Sequence, residues 1–427
     1  MKIVNIVSAL GNNNSIYPLL VRDCGIENVA KCAITYQQNA KESKFIAREA
    51  TRERIIDEYG TSALWLGGIP LIGKIADKII KAKGFSPEIS TKLLDEKSVQ
   101  NLSSNIEKFK NIAPKETLEL LKAKENKKFF TFLQTGKLLA KTAIPIFLMG
   151  YILPKMNFKL TQKKLEENKN KKIFSNASIC KIPSLGNFQK ANAPSFKGNL
   201  NSILNMSQLQ NMMILDAGLS AGRIATGRNL NEKIDLGVKM AGMCYLNYVA
   251  PSKIEKGLNT LTKKLFGINV DLDPKILADS DFLASIKNNS IIESASKIKN
   301  LKEEKEILNF IDSNMGSNFM KTAKKLNLVS TIKENDLVRD PRKFVEVKEI
   351  KALADKILEF GKSAIQSGNV EKFSKKALFS KSFNILANVA ISSFLLAFCL
   401  PKFQFLLRKF ITGSTLEPGL AGKVEEK

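Results

Sequence analysis

Residues 383–400 (FNILANVAISSFLLAFCL) form an eighteen-residue run without one charge, with Lys381 before it and Pro401-Lys402 after it. As a helix this run just reaches across a hydrocarbon core, and a soluble fold would have to bury it on every side. A second run, 138–153 (LLAKTAIPIFLMGYIL), carries Lys141 near one end and Pro145 inside. A membrane helix tolerates such a proline, and the lysine stem is long enough to reach the interface. Two further segments, 63–72 (ALWLGGIPLI) and 236–250 (LGVKMAGMCYLNYVA), are shorter and richer in glycine. Alone they read as buried or interfacial helices.

The two long runs align without a gap. FLMGYILPK at 147–155 lies over FLLAFCLPK at 394–402, and the match continues with Phe158 over Phe405 and Leu160 over Leu407. Upstream, a looser match needing insertions lays 50–60 and the run to Pro70 over 225–242 and the run to Pro251. The pattern predicts a tandem duplication: a short Gly-containing apolar segment, a polar helical stretch, then a long apolar segment ending in Leu-Pro-Lys. The expected organisation is an N-terminal segment 1–44, a first half 45–165, a polar linker 166–200, a second half 201–410 and a polar tail 411–427.

The stretches between the apolar runs read as helices. Ile350, Leu353, Ile357, Phe360 and Ala364 recur at spacings of three and four, lining one face. Ile298, Leu301, Leu308 and Ile311 form a similar stripe in 297–312. Pro114 and Pro274 open helical runs, with Asp273 placed as an N-cap. Only residues 1–7 alternate in the manner of a strand. The expected fold class is all-α, a helical membrane protein built from two tandem related halves.

The chain has no histidine, which removes the commonest general acid/base and metal ligand. Its five cysteines are scattered and form no C-x-x-C pair. Gly68 to Lys74 has phosphate-loop spacing, but Ile75 stands where Ser or Thr should hold magnesium and Pro70 removes a backbone donor. The reading there is coincidence, with Gly67, Gly68 and Gly73 serving close helix packing. Gly218 and Gly222 have the four-residue spacing that lets two helix backbones approach. The neighbouring carboxylates Asp57-Glu58, Asp95-Glu96 and Glu303-Glu304 read as solvated faces. No catalytic residue, metal ligand or cofactor site is expected, and the reading leans against an enzyme while keeping a membrane-surface enzyme as a third alternative. The candidate intramembrane polar residues are Lys141, Asp216, Arg223 and Asn247.

A net charge of +26 would point to nucleic acid or an anionic surface, but 58 of the 67 basic residues are lysine and they spread along the whole chain. That pattern fits an AT-rich bacterial genome better than a nucleic-acid reader, which favours arginine forks and stacked aromatics. Basic residues follow both Leu-Pro-Lys ends, placing both on the cytoplasmic side of a prokaryotic inner membrane. Four crossings satisfy that arrangement; the alternative is that each apolar region enters as a re-entrant or interfacial hairpin. The expected partners are the lipid bilayer and a protein partner or second copy. The expected role is structural or interaction (scaffold), with a small-solute transporter or channel as runner-up, then a soluble lysine-rich protein that binds anionic surfaces or nucleic acid.

Overall fold

The computed structural model of the chain describes residues 2–11, 20–94, 110–111, 114–173, 204, 206, 208–268, 271–332 and 335–421. Among them the fold is all-α apart from an antiparallel two-stranded hairpin, Thr331–Ile332 with Asn335–Arg339. Residues 2–11 are a helix, not a strand, since the alternation there is too short to outweigh helix formation. The expected linker begins later than 166, because the helix Leu153–Ile173 runs on through its first eight residues. Cys180 and the remainder of the linker, like Asp95 and Glu96, lie outside the described residues.

Four long helices organise the chain: 44–82, 127–173, 230–266 and 370–412. Each contains one π-helical segment, respectively Leu64–Gly68, Leu148–Ile152, Tyr245–Val249 and Leu395–Cys399. A proline follows the end of each segment by two residues: Pro70, Pro154, Pro251 and Pro401. Proline removes the donor to the carbonyl four residues back and its ring presses on that carbonyl. Slipping the preceding turn to five-residue bonding relieves both, and the Ile69 and Leu153 N–H groups donate to the carbonyls of Leu64 and Leu148. The apolar segments are therefore interiors of continuous helices, with no hairpin turn within them.

The chain divides into two compact units. The first holds residues 1–23, 72–138 and 245–395. Its main core is a helical lobe in which Ile276, Phe282, Ile291, Ile298, Ile311, Phe319, Ile350 and Ile357 are fully buried. The 350–364 stripe is buried along its length, and Asp273 caps its helix by accepting from the Lys275 N–H at 2.7 Å. The 297–312 stripe is divided between two helices, Ser290–Asn300 and Glu304–Ser313, because the chain extends at Leu301 and a capping box at Glu303 and Glu306 starts the next helix. A smaller core gathers Ile80, Phe85, Leu93, Leu120 and Phe130. Within this unit the helix pairs run antiparallel: Lys137 meets Asp77 at 2.5 Å, Lys381 meets Glu255 at 3.3 Å, and Asn388 donates to the Pro251 carbonyl at 3.2 Å.

The second unit holds residues 24–71, 139–244 and 396–427. Its helix pairs are antiparallel too. Asn157 donates to the Glu53 carbonyl at 2.7 Å, and Gln404 donates to the Asp235 carbonyl at 3.3 Å. A Cβ on Gly60 would meet Leu153 at 3.1 Å, and one on Gly242 would meet Leu400 at 2.5 Å. Gly222 lies against the Gly150 backbone, where an added Cβ would stand 2.9 Å from the carbonyl oxygen, and Gly218 is crossed by Ile146. Gly67 and Gly68 serve no such contact: nothing lies within 4 Å of a Cβ at Gly67, and only the same helix's Leu64 meets one at Gly68.

Among the described residues two helices are long and apolar enough to cross a membrane, Lys127–Glu167 and Val370–Thr412. Their most apolar windows are only 17% and 33% buried, whereas the core helix of a soluble fold is mostly covered.

Candidate functional site: a charged interior in the second unit

The second unit buries many charges beside a small apolar core of Ile46, Ala50, Leu165, Leu416 and Leu420. Glu53, Glu58, Arg223, Asp235, Lys239 and Arg408 are all buried, while Phe147, Met156, Phe403, Leu406 and Phe410 are exposed by more than half. An unpaired ion in such an interior costs several kcal/mol, so each ion must find a counter-charge.

Helical spacing supplies them. On helix 44–63, Glu53 and Asp57 share one face and Arg54 and Glu58 another, each pair four residues apart. On helix 230–244, Glu232, Asp235 and Lys239 follow at three and four. Arg223 donates to Asp57 at 2.6 Å and to Thr61 at 2.7 Å. Lys239 bonds Glu58 at 3.1 Å, and Arg54 and Lys31 reach the same carboxylate at 3.3 and 3.6 Å. Arg228 bridges Glu53 and Glu232 at 3.0 and 2.7 Å while lying over the Phe158 ring at 4.2 Å. Arg408 grips Asp235 through two bonds, 2.8 and 2.5 Å, and reaches Glu417 at 3.3 Å.

Asp57 and Glu58 are thus not a solvated face. On this helix Ile55 and Tyr59 point outward while Glu53 and Glu58 are buried. The four-residue spacing of opposite charges was visible in the sequence; their partners on other helices, Lys239 for Glu58 and Arg408 for Asp235 among them, were not.

Burial opposes ionisation of Glu417, and Arg408 and Arg54 outweigh it, leaving that group lowered. A lowered folded value contributes stability that is complete above the unfolded value of 4.5 and lost as pH falls through the folded one. The unfolding midpoint is therefore expected to drop as pH falls below about 4.5, with Glu417→Gln flattening the drop.

Beside these pairs lies a cleft of about 70 Å³ lined by Glu53, Arg54, Asp57, Asn157, Arg223, Glu232, Lys239 and Glu417 among others. Of the four candidate polar residues, Arg223 lines it. Lys141 and Asp216, half-buried on helices 127–147 and 208–226, do not, and Asn247 sits in a π-helical segment of the other unit. Among the described residues no group of three or more Cys, Asp and Glu side chains is placed to hold a metal ion. Comparison with family models, curated proteins and solved structures finds no match to this chain.

Proposed function

We propose that the chain is an integral membrane scaffold. Its four long helices cross the bilayer as two related antiparallel hairpins, and the second hairpin carries the helical lobe between its two helices. The observation that carries this reading is the exposure of the apolar windows in Lys127–Glu167 and Val370–Thr412, which only lipid or a partner would cover. The paired charges buried in the second unit beneath exposed apolar side chains such as Phe403, Leu406 and Phe410 support it, since such a surface suits hydrocarbon.

The repeated device supports the tandem halves. Each long helix has its π-helical segment and its proline, and the glycine aligned in each half, Gly60 or Gly242, faces the leucine of that half's Leu-Pro-Lys, Leu153 or Leu400. Basic residues after both Leu-Pro-Lys ends favour the cytoplasmic side of a prokaryotic inner membrane. A scaffold leads over a transporter because the charged groups of the second unit are bound up in ion pairs, leaving little to move during a transport cycle. The lobe, with its own core and polar exterior, is the part suited to a protein partner or a second copy.

An alkaline carbonate wash of isolated membranes tests this. Retention in the pellet is the expected result. Release into the wash would reduce the helices to peripheral or soluble elements and overturn the reading.

A further inference from the structure

We infer that residues 340–346 are an ionic latch, which joins the smaller core of the first unit to the helical lobe and lets go in high salt while both cores stay folded. The segment leaves the strand Asn335–Arg339 and leads into the helix Val347–Gln366, so the lobe holds it at both ends. Arg339 pairs with Asp312 at 2.8 Å, the Asp340 N–H donates to the Ser330 carbonyl at 2.9 Å, and Val345 and Val347 are buried in the lobe core. Between these anchors one side chain goes the other way. Phe344 packs, half-buried, against the smaller core of Ile80, Phe85, Leu93 and Leu120.

The rest of the junction is polar and close to solvent. The Ser90 N–H donates to the Arg342 carbonyl at 3.2 Å. Lys343 meets Glu88 at 3.6 Å, Arg342 meets Glu119 at 3.7 Å, and Lys92 pairs with Glu346 while standing over the Phe344 ring at 4.6 Å. These six charged side chains keep between 21% and 54% of their exposure, so added salt screens all three pairs. Among the described residues no helix of the smaller core packs broadly on a helix of the lobe. The junction therefore rests on one half-buried ring, one backbone bond and three screened pairs, whereas each core is apolar and its burial is not weakened by salt. Opening at the latch is a smaller step than unfolding either core, and it frees the lobe to shift against the helices that carry the smaller core. The inference concerns one unit alone and does not rest on membrane insertion.

The test is amide hydrogen exchange of the full chain in detergent at about 0.05 M and about 1 M sodium chloride, across which the screening length shrinks several-fold. The Ser90 amide is the reporter, since its acceptor lies across the junction. High salt is expected to speed its exchange about fivefold or more, the combined weakening of three exposed pairs, while amides around Ile350 and Ile357 in the lobe core keep their protection. Phe344→Ala is expected to speed the Ser90 amide by a further tenfold or about that, again without loosening the lobe core. Lys343→Glu, which sets like charge against Glu88, is expected to speed it about threefold at low salt, and adding Glu88→Lys to restore it. Exchange at Ser90 that ignores salt overturns the proposal. So does a salt effect of equal size in the lobe core, or a Phe344→Ala chain whose Ser90 amide is as protected as before. The salt series on the unsubstituted chain remains decisive if a variant fails to fold.

Discussion

Replacing Leu386 and Phe394 with arginine is expected to remove most of the chain from the membrane fraction. Both side chains are about half exposed on helix 370–412, so neither contributes much to the packed interior of its unit. In water two such surface changes would each shift stability by only about 0.5 kcal/mol or less. At the centre of a hydrocarbon core each arginine costs roughly 2.5–3.5 kcal/mol. The pair therefore separates two accounts by about 5 kcal/mol, a factor of several thousand in the insertion equilibrium. Fractionation of cells expressing the doubly substituted chain is the measurement. An unchanged membrane fraction, or improved yield of a soluble and folded chain, would contradict the assignment of this face to lipid.

Arg408→Met is expected to destabilise the second unit by about 3–5 kcal/mol, because it strands Asp235 in a buried site and takes from Glu417 its nearest cation. Pairing it with Asp235→Leu is expected to recover much of the loss, since an apolar pair of similar volume avoids the cost of burying charge. A double-mutant cycle read by chemical unfolding in detergent measures this coupling. Additive losses would show that the two side chains do not interact, whatever their separation of 2.5 Å implies.

What could be read in the sequence were the features that a single helix decides for itself. The uncharged run at 383–400, the 350–364 stripe and the Asp273-Pro274 start all appear as expected, since burial on one face and a cap at one end are local requirements. The Gly222 spacing was legible for the same reason, although its partner Gly150 was not. The charged interior escaped because the pairs that tie its helices together join segments far apart in the chain: Arg223 to Asp57, Arg408 to Asp235. Taken alone, a polar helix face looks the same whether it meets water or another charged helix. The hairpin at 331–339 escaped too, being so short that no alternation marks it. The four prolines were in plain view, and their common distance from an apolar stretch was the available signal for the π-helical segments.

Trp65 offers the most direct test of the central claim. It is the single tryptophan of the chain and lies in the π-helical segment Leu64–Gly68 of one of the proposed crossings, where it is partly exposed. The measurement is quenching of its fluorescence in reconstituted vesicles by lipids brominated on the acyl chains, compared with quenching by aqueous iodide. Four crossing helices predict strong quenching by the brominated chains and little by iodide. Efficient quenching by iodide with none from the brominated lipid would place this segment in water and contradict the four-helix membrane account.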